Sequence, residues 1–162
     1  MDEERLDRLW RAHADAVHAF ATRRVGTTAA SDVVTEVFIV ALGRRPEEAD
    51  PTRAWLLGVA RNVIRHDRRA EGRRSRREAE VASGRTDVAA TVDGDPVDLV
   101  AIARAVDALP PKERDAIVLV AWDQLSPAEA AEVAGCSPGA FRVRLHRARR
   151  RLADQLTEEV RS

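Results

Sequence analysis

The chain has 162 residues, enough for one medium domain or two small ones. Hydrophobic residues make up 44% and aromatic residues only 4%, so the interior must be mainly aliphatic, as in packed helices rather than in a β-sandwich. A single cysteine, Cys136, excludes an internal disulfide, and no zinc cluster or other metal site is spelled out. We expect no membrane insertion, no secretory signal and a cytoplasmic location.

The formal net charge is zero, but the charges are strongly segregated. Segment 61–77 has eight Arg against two acids, and segment 142–151 has six Arg and no acid. Segment 78–100 between them has six acids and one Arg. A GC-rich genome would explain the general preference for Arg over Lys equally well, but it does not explain the clustering. Because Arg forms fork-like bonds with phosphates and guanine edges, the two clusters predict two nucleic-acid surfaces.

Residues 1–77 show the apolar periodicity of three helices around one core. Gly26 is expected to end the first helix in the left-handed conformation that glycine adopts most easily. Asp50 is expected to begin the third helix, as a capping acid with Pro51 in the first turn. The three predicted helices are Glu4–Val25, a segment from Thr28 to about Gly43, and a segment from Asp50 to about Arg77.

Residues 78–96 have no period and are rich in Gly, Ser, Thr and Asp, which is typical of a flexible linker. Residues 97–162 then predict a second, four-helix domain. The predicted helices are Val97–Ala108, Lys112–Trp122, a short one from Ser126-Pro127 to Gly135, and one from Ser137-Pro138 to about Leu156. The fold class is therefore all-α, with two small helical domains joined by an acidic linker.

The last two predicted helices have the pattern of a helix-turn-helix. Ser126 and Glu129 form a predicted capping box, and the turn contains Gly135. Alanines 130, 131 and 134 are expected to brace the following helix. On that helix the inward residues are Phe141, Leu145, Ala148 and Leu152, and the outward ones are Arg142, Arg144, His146, Arg147, Arg149 and Arg150.

Two stretches resemble the extracytoplasmic-function (ECF) sigma factors of the sigma-70 family. The first is SDVVTEVFIVAL followed by RAWLLGVARNVIRHDRR, and the second is LPPKERDAIVLVAWDQLSPAEAAEVAGCSPGAFRVRLHRARRRL. The resemblance implies region 2 over 1–77, a linker over 78–96 and region 4 over 97–162. It also implies a non-catalytic RNA polymerase subunit, without a cofactor, that directs promoter-specific transcription initiation.

The family roles carry over to this chain by position. Region 2 is implied to dock on the β′ clamp of core RNA polymerase and region 4 on the β flap, and an anti-sigma factor is an expected further partner. The implied clamp contacts are Asp32, Val33, Glu36, Val37, Ile39 and Val40. The implied contacts to the −10 element are Arg44, Arg45, Trp55, Arg61, Asn62, Arg65, Arg68 and Arg69. The implied contacts to the −35 element are Ser137, Pro138, Gly139, Arg142, Arg144, His146, Arg147 and Arg149.

Some alternatives remain open at this point. Trp55 fits a base-stacking residue and a core residue equally well, whereas Trp10 and Trp122 are expected in the core. A repressor or activator that binds duplex DNA alone would explain residues 97–156, but it would leave the first domain without a role. An interaction protein that uses its charged segments only for protein contacts is a third class. A test of whether the protein acts only together with core polymerase would distinguish the sigma-factor interpretation from these two.

Overall fold

The computed structural model describes residues 1–44, 48–78 and 96–161, except for the side chains of 75–78 and 96–98. Every regular element in these ranges is a helix, as the all-α prediction requires. The chain divides into two compact units, Met1–Thr86 and Asp87–Ser162, called unit 1 and unit 2 below. Most of the predicted linker lies outside the described residues; its first and last residues, Glu78 and Pro96, are helical.

Unit 1 consists of a kinked helix α1, Glu3–Leu42, and a helix α2, Arg53–Glu78. The kink is at Gly26, whose φ of 81° and ψ of 167° separate two helical segments, close to where the sequence predicts a helix end. This ψ differs from the expected left-handed helical value. The conformation lies in a region that is essentially restricted to glycine.

The core of unit 1 forms between the two segments of α1 and the first four turns of α2. Leu57, which the sequence analysis did not place in the core, is as buried as its neighbour Leu56. Trp10 is a correction to the sequence analysis, because 45% of it is exposed. Its ring only covers the edge of the core, with its centroid 4.6 Å from that of Phe38.

One window of 18 residues within α1 has a mean hydropathy of 1.5, which by length and composition alone would suffice to cross a membrane. Such an apolar window was not expected from the sequence. A third of it is buried, and its buried residues include Val33, Val34 and Val37. Because α1 packs along α2, a place in the core of unit 1 accounts for these apolar residues.

The start of α2 also corrects the sequence analysis. Thr52, rather than Asp50, is the N-cap, because its Oγ1 accepts a hydrogen bond from the backbone N–H of Trp55 at 3.1 Å. Pro51 precedes the cap and is buried. Asp50 is instead paired with the guanidinium of Arg5 at the beginning of α1.

The described part of unit 2 contains four α-helices in the predicted order. The second of them continues directly into a π-helical turn, Val118–Trp122, and Gln124 beyond it has a positive φ of 55°. The final helix extends past the predicted end at Leu156, because Gln155 and Leu156 remain half-buried in unit 2. The helices are α3 Pro96–Asp107, α4 Pro111–Ile117, α5 Pro127–Ala134 and α6 Pro138–Arg161.

Candidate nucleic-acid interface

Helices α5 and α6 form a tightly capped helix-turn-helix. The Oγ of Ser126 accepts from the N–H of Glu129 at 3.2 Å, and the Glu129 carboxylate accepts from the N–H of Ser126 at 2.9 Å. Gly135 is left-handed, with φ 68° and ψ 37°, and Ser137 caps α6 by accepting from the N–H of Ala140 at 3.1 Å. These contacts confirm the predicted capping box and turn, and they fix the start of α6 relative to α5.

The inner side of α6 packs into unit 2 as the sequence predicts. Phe141 and Ala148 are completely buried and Leu145 is 4% exposed, whereas Leu152 is only half-buried. On α5 the bracing residues Ala130 and Ala131 are completely buried, and Ala134 and the nearby Cys136 are half-buried. Small alanines at this contact let the two helices approach closely around the Phe141 ring.

The outer side of α6 carries the predicted cations, but they differ in what they contact. Arg142 donates to the carbonyl of Pro138 at 3.4 Å, and Arg144 is half-buried. Arg151 points elsewhere, because it pairs at 3.1 Å with the buried carboxylate of Glu113. The predicted contact residues Ser137, Pro138 and Gly139 are exposed at the start of α6. The exposed side chains that follow on the outer side are Arg142, His146, Arg147, Arg149 and Arg150.

One exposed residue on this outer side was missed. Val143 is 50% exposed and lies four residues after Gly139 and seven before Arg150. These spacings place the three residues on the same side of a helix. The signal was available in the sequence, because Val143 is the apolar residue of α6 that falls outside the inward pattern of Phe141 and Leu145.

In unit 1 the loop before α2 is organised around Arg44. Its guanidinium carbon lies 4.7 Å from the centroid of the Trp55 ring, and it forms a 3.0 Å ion pair with Glu48. Arg44 also donates to the carbonyl of Ala49 at 3.4 Å. The side chain predicted to contact DNA thus also holds the loop against Trp55, which is half-buried. Arg45 lies outside the described residues.

Arg5 is a second organiser of this loop, and the sequence analysis missed it. Its guanidinium contacts the carboxylate of Asp50 and the backbone carbonyl of Glu48. Only 16% of the Arg5 side chain is exposed. The partners are more than forty residues apart in sequence, so no local pattern indicates the contact.

The outer face of α2 presents a row of polar and cationic side chains. Asn62, Arg65 and Arg69 are exposed and follow Trp55 at intervals of seven, ten and fourteen residues, which places them near one helical face. Arg61 is half-buried beside them. Arg68 is exposed but donates to the carbonyl of Arg24 at 2.8 Å, so it also ties α2 to α1 next to the Gly26 kink.

The second segment of α1 presents a mixed apolar and acidic surface. Ile39 and Val40 are 59% and 46% exposed, and Asp32 and Glu36 are exposed on the preceding turns. Leu42, 41% exposed, adds to this surface and was not predicted. The predicted contacts Val33 and Val37 are corrected by the structure, because they are 4% and 0% exposed and belong to the core beneath this surface.

Together these features define a two-unit protein with a DNA-binding helix-turn-helix in its second unit, and the comparisons with known proteins identify the family. The sigma-70 region 2 model matches residues 9–74, and the sigma-70 region 4 model matches residues 99–152. The RNA polymerase sigma factor CarQ of Myxococcus xanthus is 30% identical over 96% of this chain and 91% of its own length. The ECF sigma factor EcfG of Rhodopseudomonas palustris is 32% identical over 88% of this chain and 80% of its own length. The ECF sigma factor BldN of Streptomyces coelicolor is 31% identical over 99% of this chain, which spans 63% of its length.

Solved structures agree with this assignment. CnrH, solved in complex with the cytosolic domain of CnrY, has a TM-score of 0.62 and 26% identity over 97% of this chain and 90% of its own. The sigma factor RpoE from Bartonella quintana, solved with the anti-sigma factor NepR, shares the fold with a TM-score of 0.62. Its sequence is 24% identical, and the match covers 93% of this chain and 96% of RpoE. The chain belongs to the ECF group of the sigma-70 family, the RNA polymerase sigma factors that direct promoter-specific initiation of transcription.

Proposed function

We propose that residues 97–162 read the −35 element through α6, and that residues 1–77 bind core polymerase and open the −10 element. Residues 78–96 are proposed to link the two. The protein acts as a non-catalytic subunit, in the cytoplasm where core polymerase meets the chromosome. The observation that carries this proposal is the exposed cationic side of α6 on a capped helix-turn-helix.

At the −35 element, the N-terminal turns of α6 enter the major groove. Arg147 and Arg150 are exposed on the outer side and reach guanine edges or phosphates. Arg144 lines a cleft together with Lys112 and Pro111 at the start of α4. Arg147 and Glu113 line the same cleft, and its three cations outnumber the one carboxylate, so it is suited to a backbone phosphate, which would fix the register of α6 in the groove.

At the −10 element, Trp55 provides a flat surface for an unstacked base. Arg44 already lies over this ring, so a base that enters either extends the stack or displaces the guanidinium. Asn62, Arg65 and Arg69 follow on the same face of α2 and contact the phosphates of the separated strand. Base–aromatic stacking contributes about 1–3 kcal/mol per base, enough to favour strand separation at one or two positions.

For core polymerase, the mixed surface of α1 is the proposed contact with the β′ clamp. Ile39 and Val40 supply an apolar centre, and Asp32 and Glu36 supply an acidic edge. An apolar centre with a polar rim is the usual anatomy of a specific protein interface. Val33 and Val37 support this surface from beneath rather than contact the partner. The proposed contact of unit 2 with the β flap rests on the family resemblance.

An anti-sigma factor is a further proposed partner. CnrH was solved with the cytosolic domain of CnrY, and RpoE was solved with the anti-sigma factor NepR. The exposed apolar residues of unit 1, Ile39, Val40 and Leu42, offer a surface for which such an inhibitor would compete with the polymerase.

The decisive experiment is run-off transcription from pooled genomic DNA with sigma-free core polymerase, with and without this protein. The expected result is a set of new transcripts whose upstream regions share a two-part motif. If no transcript appears and the protein alone shifts duplex DNA, it is a lone regulator and the proposal is wrong. If the protein neither supports transcription nor binds duplex DNA, it is an interaction protein, and the sigma-factor and lone-regulator interpretations are both wrong.

A matched pair of variants locates the polymerase contact. Ile39→Ala removes the most exposed apolar side chain of the α1 surface, whereas Val160→Ala changes an 88% exposed valine at the end of α6. Ile39→Ala should weaken binding to core polymerase about tenfold, because burial of an aliphatic side chain contributes about 1.5–3 kcal/mol. Val160→Ala should leave the affinity unchanged. Equal affinities for the two variants would place the polymerase contact elsewhere.

A further inference from the structure

Val143 is an exposed aliphatic side chain in the middle of an otherwise polar, cationic helix face. It is 50% exposed, although Phe141 and Leu145 on either side are almost completely buried. The helical register explains the contrast, because these two neighbours point into unit 2 while Val143 points away from it.

Folding does not account for a valine at this position. Its exposure shows that it fills little of the core, and a β-branched residue is a weaker helix former than alanine at an exposed position. What distinguishes Val143 from the more exposed Val160 is its place among the residues of α6 proposed to enter the major groove, where its side chain is available for a contact outside the free protein.

The surroundings of Val143 indicate what that contact is. Gly139 and Ala140, one turn earlier, are exposed and small, so the helix backbone can come close to base edges. His146 and Arg147, one turn later, are exposed polar side chains suited to phosphates and guanines. In the major groove the apolar group offered by the bases is the C5-methyl of thymine, and small aliphatic side chains contact it.

We propose that Val143 contacts the C5-methyl group of a thymine in the −35 element, which makes this chain prefer T·A at one position. The proposal rests on the proposed function of α6 and names one feature of its specificity. The neighbouring cations supply affinity, and Val143 supplies discrimination at a base that offers it no hydrogen bond.

Replacement of thymine by deoxyuridine tests the contact, because it removes the methyl group and leaves base pairing intact. The holoenzyme is bound to a promoter recovered by run-off transcription, and each thymine of either strand of the −35 element is replaced in turn. For the unchanged protein, one replacement should weaken binding about fourfold, the effect of about one buried methyl group. For Val143→Ser, the same replacement should have no effect.

Two further variants sharpen the test. Val143→Thr keeps one methyl group and should retain part of the sensitivity to deoxyuridine. Val160→Ser, at the other end of α6, should retain all of it. Because Val143 is exposed, its variants should melt at the temperature of the unchanged protein, which separates a lost contact from a lost fold.

The outcomes separate this proposal from the proposed function. If the holoenzyme binds the promoter but no deoxyuridine weakens binding, or if Val143→Ser keeps the same sensitivity, the thymine contact is wrong and the sigma-factor function stands. The thymine contact is also wrong if the −35 element has no thymine in either strand. If the holoenzyme selects no promoter at all, both proposals fall together.

Discussion

The two stretches that precede the proposed DNA-binding helices are held in different ways. Before α6, the turn is closed by contacts between near neighbours: the left-handed Gly135, whose N–H donates to the carbonyls of Ala131 and Glu132, and the cap of Ser137. Before α2, the loop is held by Arg5 from the start of α1 and by the packing of Arg44 on Trp55. One stretch is closed by local contacts and the other depends on the tertiary fold.

This difference matches the two tasks proposed for these helices. A helix that reads duplex DNA must keep a fixed position, because misplaced side chains lose their hydrogen bonds to base edges. Local caps provide that rigidity even without distant contacts. A loop that captures an unstacked base must exchange its own contacts for contacts with the base. Ion pairs to the exposed carboxylates of Glu48 and Asp50 contribute at most about 1 kcal/mol each and a cation–π contact about 0.5–2 kcal/mol, so contacts with a base can replace them.

The largest effect on stability is expected at the kink of α1. Gly26→Ala should lower the free energy of unfolding by about 2–3 kcal/mol, because its backbone conformation is essentially closed to other residues. Gly135→Ala should cost about 1–2 kcal/mol, since the left-handed helical region is less forbidden. Urea denaturation measures both losses. The control Gly72→Ala, in the exposed part of α2, should stabilise by about 0.5–1 kcal/mol, and equal losses at Gly26 and Gly135 would contradict the assigned conformations.

The next effect separates structural from DNA-binding arginines on α6. Arg151→Ala should lower the free energy of unfolding by about 1–3 kcal/mol, because the buried carboxylate of Glu113 loses its ion pair. Arg150→Ala, at an exposed neighbouring position, should change stability by less than about 0.5 kcal/mol. Thermal melting distinguishes the two. If Arg150→Ala lowers stability as much as Arg151→Ala does, the structural role assigned to Arg151 is wrong.

The start of α2 tests whether its cap is Thr52 or Asp50. Thr52→Ala should cost about 1 kcal/mol of stability, because the N–H of Trp55 loses its acceptor. Asp50→Ala should cost less than about 0.5 kcal/mol, because the carboxylate is 64% exposed and its ion pair with Arg5 is screened by water. A larger loss for Asp50→Ala than for Thr52→Ala, measured by urea denaturation, would restore the assignment made from sequence.

The smallest effect on stability, but a functional one, is expected at Arg5. Arg5→Met keeps most of the buried stem and removes the guanidinium, so it should cost at most about 1 kcal/mol, yet it should release the loop that positions Trp55. Permanganate reactivity of thymines in the −10 element, measured with the holoenzyme, should fall about fivefold. The control Arg11→Met removes a solvent-exposed ion pair with Asp7 one turn away and should leave promoter opening unchanged. If both variants open the promoter normally, promoter opening does not require the contacts of Arg5 with Glu48 and Asp50.

The sequence by itself determined the features whose causes lie within about four residues. The caps of α5 and α6 follow from Ser126, Glu129 and Ser137, because each satisfies a backbone group one turn away. The inward face of α6 follows from the period of Phe141, Leu145 and Ala148. The family assignment also follows, since the motifs that carry it are local.

Only the tertiary structure decided which side chains are exposed and which ones pair with another part of the chain. Val33 and Val37 lie in the same stretch as Ile39, but packing of α2 buries the first two and leaves the third exposed. Asp50 pairs with Arg5 from the start of α1, and the cap of α2 is Thr52. The physical reason is common to these cases. A helical pattern specifies the direction of each side chain along its own helix, whereas burial and pairing depend on what another part of the chain places opposite it.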